Sequence, residues 1–451
     1  MRLRRTIELC FTDERLITPS GLCIVGNMLG NSEFVEYCNR RQDIPKRSEA
    51  QIPNGDIVLS YIGLLVQGKV PFEAVNEMKS DPEYYHYALG LKKGIPSAET
   101  LRQRLDAIGN SLRKQLLDAN VKLLLTHGVL PSAISKGLIP LDIDVTPLDN
   151  SKSHKEGVSR TYKGHDGYAP IVAYLGIEGF MVNVELREGK QHCQSGPQFL
   201  RETLKLAHRM TNQQLLIRLD SGNDAQENMG ILLEDGSWFI IKRNLRKESK
   251  EAWLNEVKSC CKDIREPRDG KTVYVGSSWR DIEYIDKDGK PRTQCMRMVY
   301  EITERTIDKY GQVLMLPDIE VNMWWTNLDW TDDEIIESYH AHGECEQYHS
   351  ELKTDMDVER LPSGKFDTNA LVFELAMIAY NLLRMIGQES LKHKQSDKRP
   401  VRRRRLRTVI ANLILIAGHL TCHARKLRLS LGKSSAWAAA FYGVWTCFAP
   451  L

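Results

Sequence analysis

Tyr339, His342, Glu346, His349 and Lys353 recur every three or four residues along the stretch YHAHGECEQYHSELK. On a helix that spacing stacks a phenol, two imidazoles, a carboxylate and an ammonium on one face. A helix that only fills a core would carry Leu, Ile and Val there. A polar stripe of this kind suits a site that handles a metal and a phosphate.

Two more carboxylates stand where a sheet would present them. Asp144 lies in LDIDVT, and Asp220 closes the apolar run LLIRLD. Strand ends and the turns after them are favoured places for catalytic side chains in α/β sheets. Asp144, Asp220 and Glu346 on three separate rigid elements could bind two Mg²⁺ ions, which prefer oxygen ligands and keep waters that leave room for a phosphate. Two such ions ~4 Å apart can activate a nucleophile and stabilise the leaving oxygen of an in-line displacement.

Each carboxylate also has a plainer reading. Asp142 shares a strand face with Asp144, so one of the two can be a polar partner. Asp220, followed by Ser-Gly-Asn, can form a turn or a cap. Glu346 can be one surface charge among Glu344 and Glu351. A rival metal reading uses His342, Cys345, Glu346 and His349, whose spacing is that of transition-metal ligands. No HExxH and no second ligand cluster completes it.

The elements that must position these residues follow from periodicity. Residues 1–50 read as a short strand followed by loop. From Asp56 the pattern turns helical, with Gly68 as a stop. Ser97 reads as an N-cap for a short helix bearing Arg102 and Arg104, which resembles the second half of a helix-turn-helix. IPLDIDVTPL alternates as a strand, and YAPIVAYLGIEGFMVNVEL as a hairpin turning through Gly176–Gly179. A helix over 196–210, the strand LLIRLD, a short helix over 223–232 and the strand SWFIIKRN follow. The order is that of a mixed α/β domain.

Residues 247–320 break this alternation with a polar helix and several strand-like runs, read as a mostly β insertion. Helix returns over 331–352 and again, strongly apolar, over 367–387. Two helices are expected to close the chain, the last of them buried. Trp324 and Trp325 stand just before the glutamate helix, where an exposed indole could stack on an unpaired base. Alternation sends one of them to each face. A loop carrying Tyr162-Lys163-Gly164-His165 could touch a nucleic-acid backbone.

Composition sets wide bounds. The chain has 451 residues, 42% apolar and 27% charged, with a formal net charge of +3. Overall charge therefore does not announce a polyanion partner, but its distribution does. Lys392, Lys394, Lys398, Arg399, Arg402, Arg403, Arg404, Arg405 and Arg407 are answered locally only by Asp397, and such a run attracts a polyanion by counterion release. A solvated basic loop is the plain alternative. Ten scattered cysteines without paired CxxC spacing fit a reducing cytoplasm. No apolar run reads as a signal, and the stretches over 410–420 and 436–451 fall short of the ~20 residues of a spanning helix.

Taken together, LDIDVT, RLDSGND and YHAHGECEQYHSELK resemble the active-site segments of bacterial insertion-sequence DDE transposases. The branch is the one whose glutamate sits in a Y-x2-R-x3-E-x6-K motif, most closely the insertion-sequence group numbered thirteen-eighty. PSAETLRQRL, LREGKQH and FDTNALVFELAMIAYNLLR extend the likeness over roughly residues 50–430. The resemblance implies Asp144, Asp220 and Glu346 as a metal-binding triad using Mg²⁺, with Mn²⁺ as a substitute. It implies Tyr339 and Lys353 as phosphate-orienting groups. One position departs from the motif: the arginine is His342 here. Histidine lacks the fixed, always-charged fork, so His342 donates to phosphate only in the right protonation state, or Arg218 takes over the task.

The implied fold is ribonuclease H-like: a mixed sheet with a mostly β insertion and helical N- and C-terminal regions. The expected divisions are 1–135 for a helical DNA-binding region, 136–246 and 329–390 for the catalytic domain, 247–328 for the insertion and 391–451 for a basic helical end. The implied activity is transposition of DNA, with cleavage at terminal inverted repeats and transfer to target DNA by a homodimer on paired ends. The expected DNA contacts are Tyr339, His342, Lys353, Arg102, Arg104 and Arg402–Arg405, in a cytoplasmic, nucleoid-associated protein with no membrane partner. Alternatives are a metal-dependent nuclease without strand transfer and a DNA-binding protein with weakened catalysis.

Overall fold

The protein is described here from a computed structural model over residues 7–39, 52–191, 196–394, 400–424 and 426–449. A short strand β1 (Arg15–Ile17) is followed by helices α1 (Leu22–Gly30), α2 (Phe34–Asn39), α3 (Asn54–Leu65), a 3-10 helix (Phe72–Ser80), α4 (Pro82–Leu89) and α5 (Ala98–Thr126). The loop expected after β1 is thus two helices. LCIVGNMLG is apolar all round because α1 is buried on most sides, so no amphipathic period marks it. Ser97 does cap α5, its side chain accepting from the Thr100 N–H. That helix is a long packing element of 29 residues, not a short basic one.

The sheet begins at β2 (Ile139–Val145). Three short strands, β3 (Leu148–Asp149), β4 (Ser159–Arg160) and β5 (Asp166–Tyr168), form a small sheet of their own. Then come β6 (Ile171–Leu175), β7 (Phe180–Glu185), α6 (Gly196–Met210), β8 (Leu215–Leu219), α7 (Gln226–Asp235), β9 (Trp238–Lys242) and α8 (Lys250–Cys260). β10 (Asp263–Arg268), β11 (Lys271–Ile285), β12 (Pro291–Ile307) and β13 (Val313–Thr326) complete a nine-stranded sheet of order β10-β11-β12-β13-β9-β8-β2-β6-β7. β2, β8 and β9 run parallel, and the remaining pairs are antiparallel. The β-rich segment extends the central sheet, because the end of β13 pairs with β9 at Trp325↔Ile241.

The glutamate segment is helical but broken: α9 (Asp332–His340), a 3-10 turn (Ala341–Gly343), α10 (Glu344–Ser350) and a π turn (Glu351–Asp355). A capping box between Thr331 and Glu334 starts it. Gly179, at φ +70° in the β6–β7 turn, makes room for it, since a Cβ there would lie 2.5 Å from the Tyr348 ring. The hairpin glycine therefore serves a helix 169 residues downstream as well as its own turn.

α11 (Phe366–His393) is apolar enough to cross a membrane, yet its apolar window is wholly buried and packs on α5 and β7. It is the core helix. The closing region also departs from expectation. α12 (Leu406–Val409) leads to a hairpin, β14 (Gly418–His423) and β15 (Lys426–Leu431), and then α13 (Ala438–Phe448). β14 pairs with β1, joining the two ends of the chain. In β15 the half-buried Leu427, Leu429 and Leu431 alternate with exposed Lys426, Arg428 and Ser430, the period of a strand rather than a helix. α13 buries one face and leaves Tyr442 71% exposed.

A buried ionic cluster fastens the back of the glutamate segment. Arg384 of α11 is fully buried and binds Glu351, and its Nη2 also donates to Tyr380 Oη at 2.7 Å. Arg403 approaches the other Glu351 oxygen at 2.7 Å. Removing one partner of such a cluster strands a charge in a low-dielectric interior. Glu351→Ala is therefore expected to destabilise the fold by about 3–5 kcal/mol, measured by urea denaturation.

Candidate active site

One parallel register builds the site. Asp142 of β2 lies opposite Arg218 of β8, and Ile143 opposite Leu219. Continued one step, this register puts Asp144 next to Asp220, and the two charges interact. The strands are about 4.8 Å apart, so two carboxylates meet at the strand ends.

Asp142 and Arg218 form a buried two-point ion pair, Nε–Oδ1 2.6 Å and Nη2–Oδ2 2.7 Å, at 2% and 3% exposure. Burial alone would raise the Asp142 carboxyl, but Arg218 and then His342 outweigh it and hold it below its usual value. Arg218 moves the opposite way for the same reason.

The glutamate segment docks on this row of residues. Arg218 Nη1 donates to the Ser338 carbonyl at 2.8 Å, and His342 Nδ1 lies 3.0 Å from Asp142 Oδ1. Burial would lower the His342 pKa. The hydrogen bond and charge of Asp142, with Asp144 behind it, raise it instead. Seven residues along, His349 Nε2 lies 3.1 Å from Asp144 Oδ2. Glu346 sits between the two histidines on the exposed edge of that helical face. Its neighbours are committed elsewhere: Glu344 accepts from Tyr348 Oη at 3.3 Å, and Glu351 is held by Arg384 and Arg403.

The two strand-end carboxylates are shifted in opposite directions. Burial raises the Asp144 carboxyl, but His349, His342 and the Val145 N–H outweigh it and hold the pKa low. Burial, and after it the charge of Asp144, push Asp220 above its usual value, against smaller contributions from Asn223 and His342. Asp220 accepts from the neutral Asn223 amide at 2.6 Å. Two adjacent carboxylates, one of them served by an uncharged donor, are a donor set that a divalent cation fits.

Tyr339 packs between Trp324 and His342, each ring centroid 5.7 Å away. Burial, then Asp220 and Asp144, keep its phenol protonated. Lys353 donates to the Pro147 carbonyl at 3.0 Å, just past the end of β2. Tyr162 Oη lies 3.2 Å from the Val145 carbonyl.

Asp142, His342 and Cys345 also bring ligand atoms within 4.8 Å of one another, a possible metal site by spacing. Arg218 already occupies both oxygens of Asp142, so a cation there would meet a guanidinium. We read this cluster as an ion pair with a histidine donor.

Several expected DNA contacts lie elsewhere. Trp324 and Trp325 are both buried, at 1% and 8% exposure, one on each face of the sheet. Trp325 Nε1 donates to Asp224 at 3.1 Å, so neither indole is free to stack on a base. Arg218 is spent on Asp142 and is not a substitute for the motif's arginine. His342 is buried against Asp142 rather than open to a phosphate.

Much of the basic run is paired within the protein, although among its described residues only Arg404 is buried. Arg404 is 6% exposed and donates to Ser390 Oγ at 2.7 Å. Arg403 also donates to Gln347, while Arg405 and Arg407 pair with Asp355 at 2.8 and 3.2 Å. Arg402 is exposed. Lys398 and Arg399 lie outside the described residues. Counting charges locally missed Glu351 and Asp355 because they are ~50 residues away in sequence. On α5, Arg102 pairs with Glu99, and Arg104 donates to the Ile52 carbonyl at 2.9 Å and to Asn54.

Comparison with known proteins gives one strong result. The family model for transposase DDE domain group 1 matches residues 2–451. No curated protein matches the chain. Among solved structures the chain is similar to a piggyBac transposase synaptic complex with hairpin DNA, determined by cryo-EM. The identity is 12%, the coverage 88% of this chain and 80% of that one, and the TM-score 0.42.

Two substitutions follow from this geometry. A carboxyl raised in the folded state contributes stability that is present below its unfolded pKa and lost as pH rises through the folded one. In metal-free buffer Asp220→Asn is therefore expected to raise Tm near neutral pH, on the order of 1–3 °C, with the gain shrinking toward about pH 4. Thermal scans in EDTA check both. His342→Arg restores the motif but places a second, larger guanidinium beside Arg218 in a filled site. It is expected to cost about 1–3 kcal/mol, read by chemical denaturation.

Proposed function

The chain belongs to the DDE transposase family, in its transposase DDE domain group 1, and from that premise we propose a DNA transposase whose triad is Asp144, Asp220 and Glu346. The observation that carries this is the placement of Asp144 and Asp220 one register step beyond the Asp142–Arg218 pair, under the helix bearing Glu346. The sheet, three antiparallel strands β7-β6-β2 followed by parallel β8 and β9, supports a ribonuclease H-like reading. The domain divisions and the relation to bacterial group thirteen-eighty are part of this proposal.

Family members use divalent metals. In this chain Asp144, Asp220 and Glu346 would hold Mg²⁺, with Mn²⁺ as a substitute. When bound, the metal supplies activation of the attacking oxygen and charge stabilisation at the leaving one. The protein's own residues do the rest by positioning, as is usual in phosphoryl transfer. Asp144 and Asp220 present oxygens from a rigid sheet. Glu346 closes the site from the helix. Lys353, which donates to the Pro147 carbonyl and lies 3.8 Å from a Glu359 oxygen, and Tyr339, a protonated phenol, orient the phosphate. Substrates are the terminal repeats of a mobile element and target DNA, bound by a homodimer in the cytoplasm on the nucleoid, with Arg102 and Arg402 on the DNA-facing surface.

The test is cleavage of DNA carrying the flanking inverted repeats in Mg²⁺ or Mn²⁺. Wild type is expected to expose a 3′-hydroxyl and join it to target DNA. Asp144→Asn, Asp220→Asn and Glu346→Gln should each lower cleavage by roughly 10³-fold or more. Undiminished cleavage by these variants would sink the assignment, and cleavage without joining would favour a nuclease.

A further inference from the structure

His349 is not part of the expected triad, yet it is the side chain that touches the triad's first member. It is 6% exposed, with Nε2 3.1 Å from Asp144 Oδ2 and Nδ1 3.0 Å from Tyr174 Oη. Tyr174 is fully buried on β6, two strands from β8 across β2. A buried phenol has one proton to give, and donating it to Nδ1 leaves the imidazole proton on Nε2, aimed at Asp144. The second Asp144 oxygen accepts from the Val145 N–H at 2.8 Å. Each oxygen thus has one protein donor and keeps a lone pair, and the plane of the carboxylate is fixed.

The same bond sets a second distance. Glu346 lies one helical turn before His349, about 4.5 Å along the axis. Anchoring His349 on Asp144 therefore anchors the glutamate relative to the first aspartate. His342, four residues before Glu346, does so from the other side through Asp142.

We propose that His349, oriented by Tyr174, is a positioning residue that holds Asp144 and Glu346 in register for a divalent cation. This rests on the triad reading above. It follows the general pattern in which a group hydrogen-bonded to a metal ligand tunes the ligand's order and affinity. His349 itself touches no reacting atom.

The experiment is Mn²⁺ binding to the full-length protein by titration calorimetry, with metal-free Tm measured alongside. His349→Leu is expected to weaken Mn²⁺ affinity about 10–100-fold. His349→Gln, whose amide N–H can take the place of Nε2–H, should stay within about threefold of wild type. Tyr174→Phe should fall between them. Asp144→Asn is the control for the triad. If it binds Mn²⁺ like wild type, the triad reading fails. If it loses binding while His349→Leu keeps wild-type affinity, only the positioning role is overturned. Equal losses in the Leu and Gln variants would also overturn it, since ring packing rather than the N–H would then matter. Should His349→Leu not fold, Tyr174→Phe decides, and unchanged affinity there overturns the proposal.

Discussion

The buried pair between Asp142 and Arg218 is the constraint from which the site follows. It locks β2 to β8 in one parallel register, and a slip of one residue would turn every side chain on that face to the other side. In this register the next outward pair is Asp144 and Asp220. The guanidinium has a further N–H, which it gives to the Ser338 carbonyl, so the same group docks the helix that carries Glu346. A buried ion pair adds little net stability over well-packed apolar residues, because desolvation offsets the attraction. Its contribution here is geometric: a rigid, two-point contact with a defined direction between two strands, β2 and β8, that are buried along most of their length.

The glutamate segment is then held from both sides. On the sheet side it is fastened by His342 and His349 to alternate aspartates of β2. Behind it, Glu351 and Asp355 take Arg384, Arg403, Arg405 and Arg407. Between these anchors sit two carboxylates at neighbouring strand ends. Burial, and after it the charge of Asp144, raise the Asp220 carboxyl. Strain of this kind persists where surrounding structure over-determines the geometry, as it does here.

Much of the frame was legible in the chain itself. Leu141, Ile143 and Val145 alternate with the aspartates as β2 does, and Gly176 and Gly179 mark the following hairpin. Asp142 was recognisable as a possible polar partner, but that its mate is Arg218 rather than a phosphate depends on the β2–β8 register, which is not a local property. α1 was not legible, since a helix buried on most sides has no amphipathic period. The β14–β15 hairpin has a local strand period in β15, but its pairing with β1, about 400 positions away, is invisible in the chain. Trp324 and Trp325 were assigned to opposite faces correctly, but alternation says nothing about what covers each face. α9 covers one, and the core that includes α7 covers the other.

By itself the sequence determined the order of the central strands and helices and the set of groups able to do chemistry, because periodicity and residue type are local properties. Only the tertiary structure decided what each charge faces. Arg404 lies in a run that looks made for a polyanion, yet it is buried against Ser390. His342 stands where the motif has an arginine, yet it is buried with Nδ1 3.0 Å from Asp142. The physical reason is that electrostatic partners are chosen by distance in space and by desolvation, and neither quantity exists until β2, β8 and the glutamate helix are packed together.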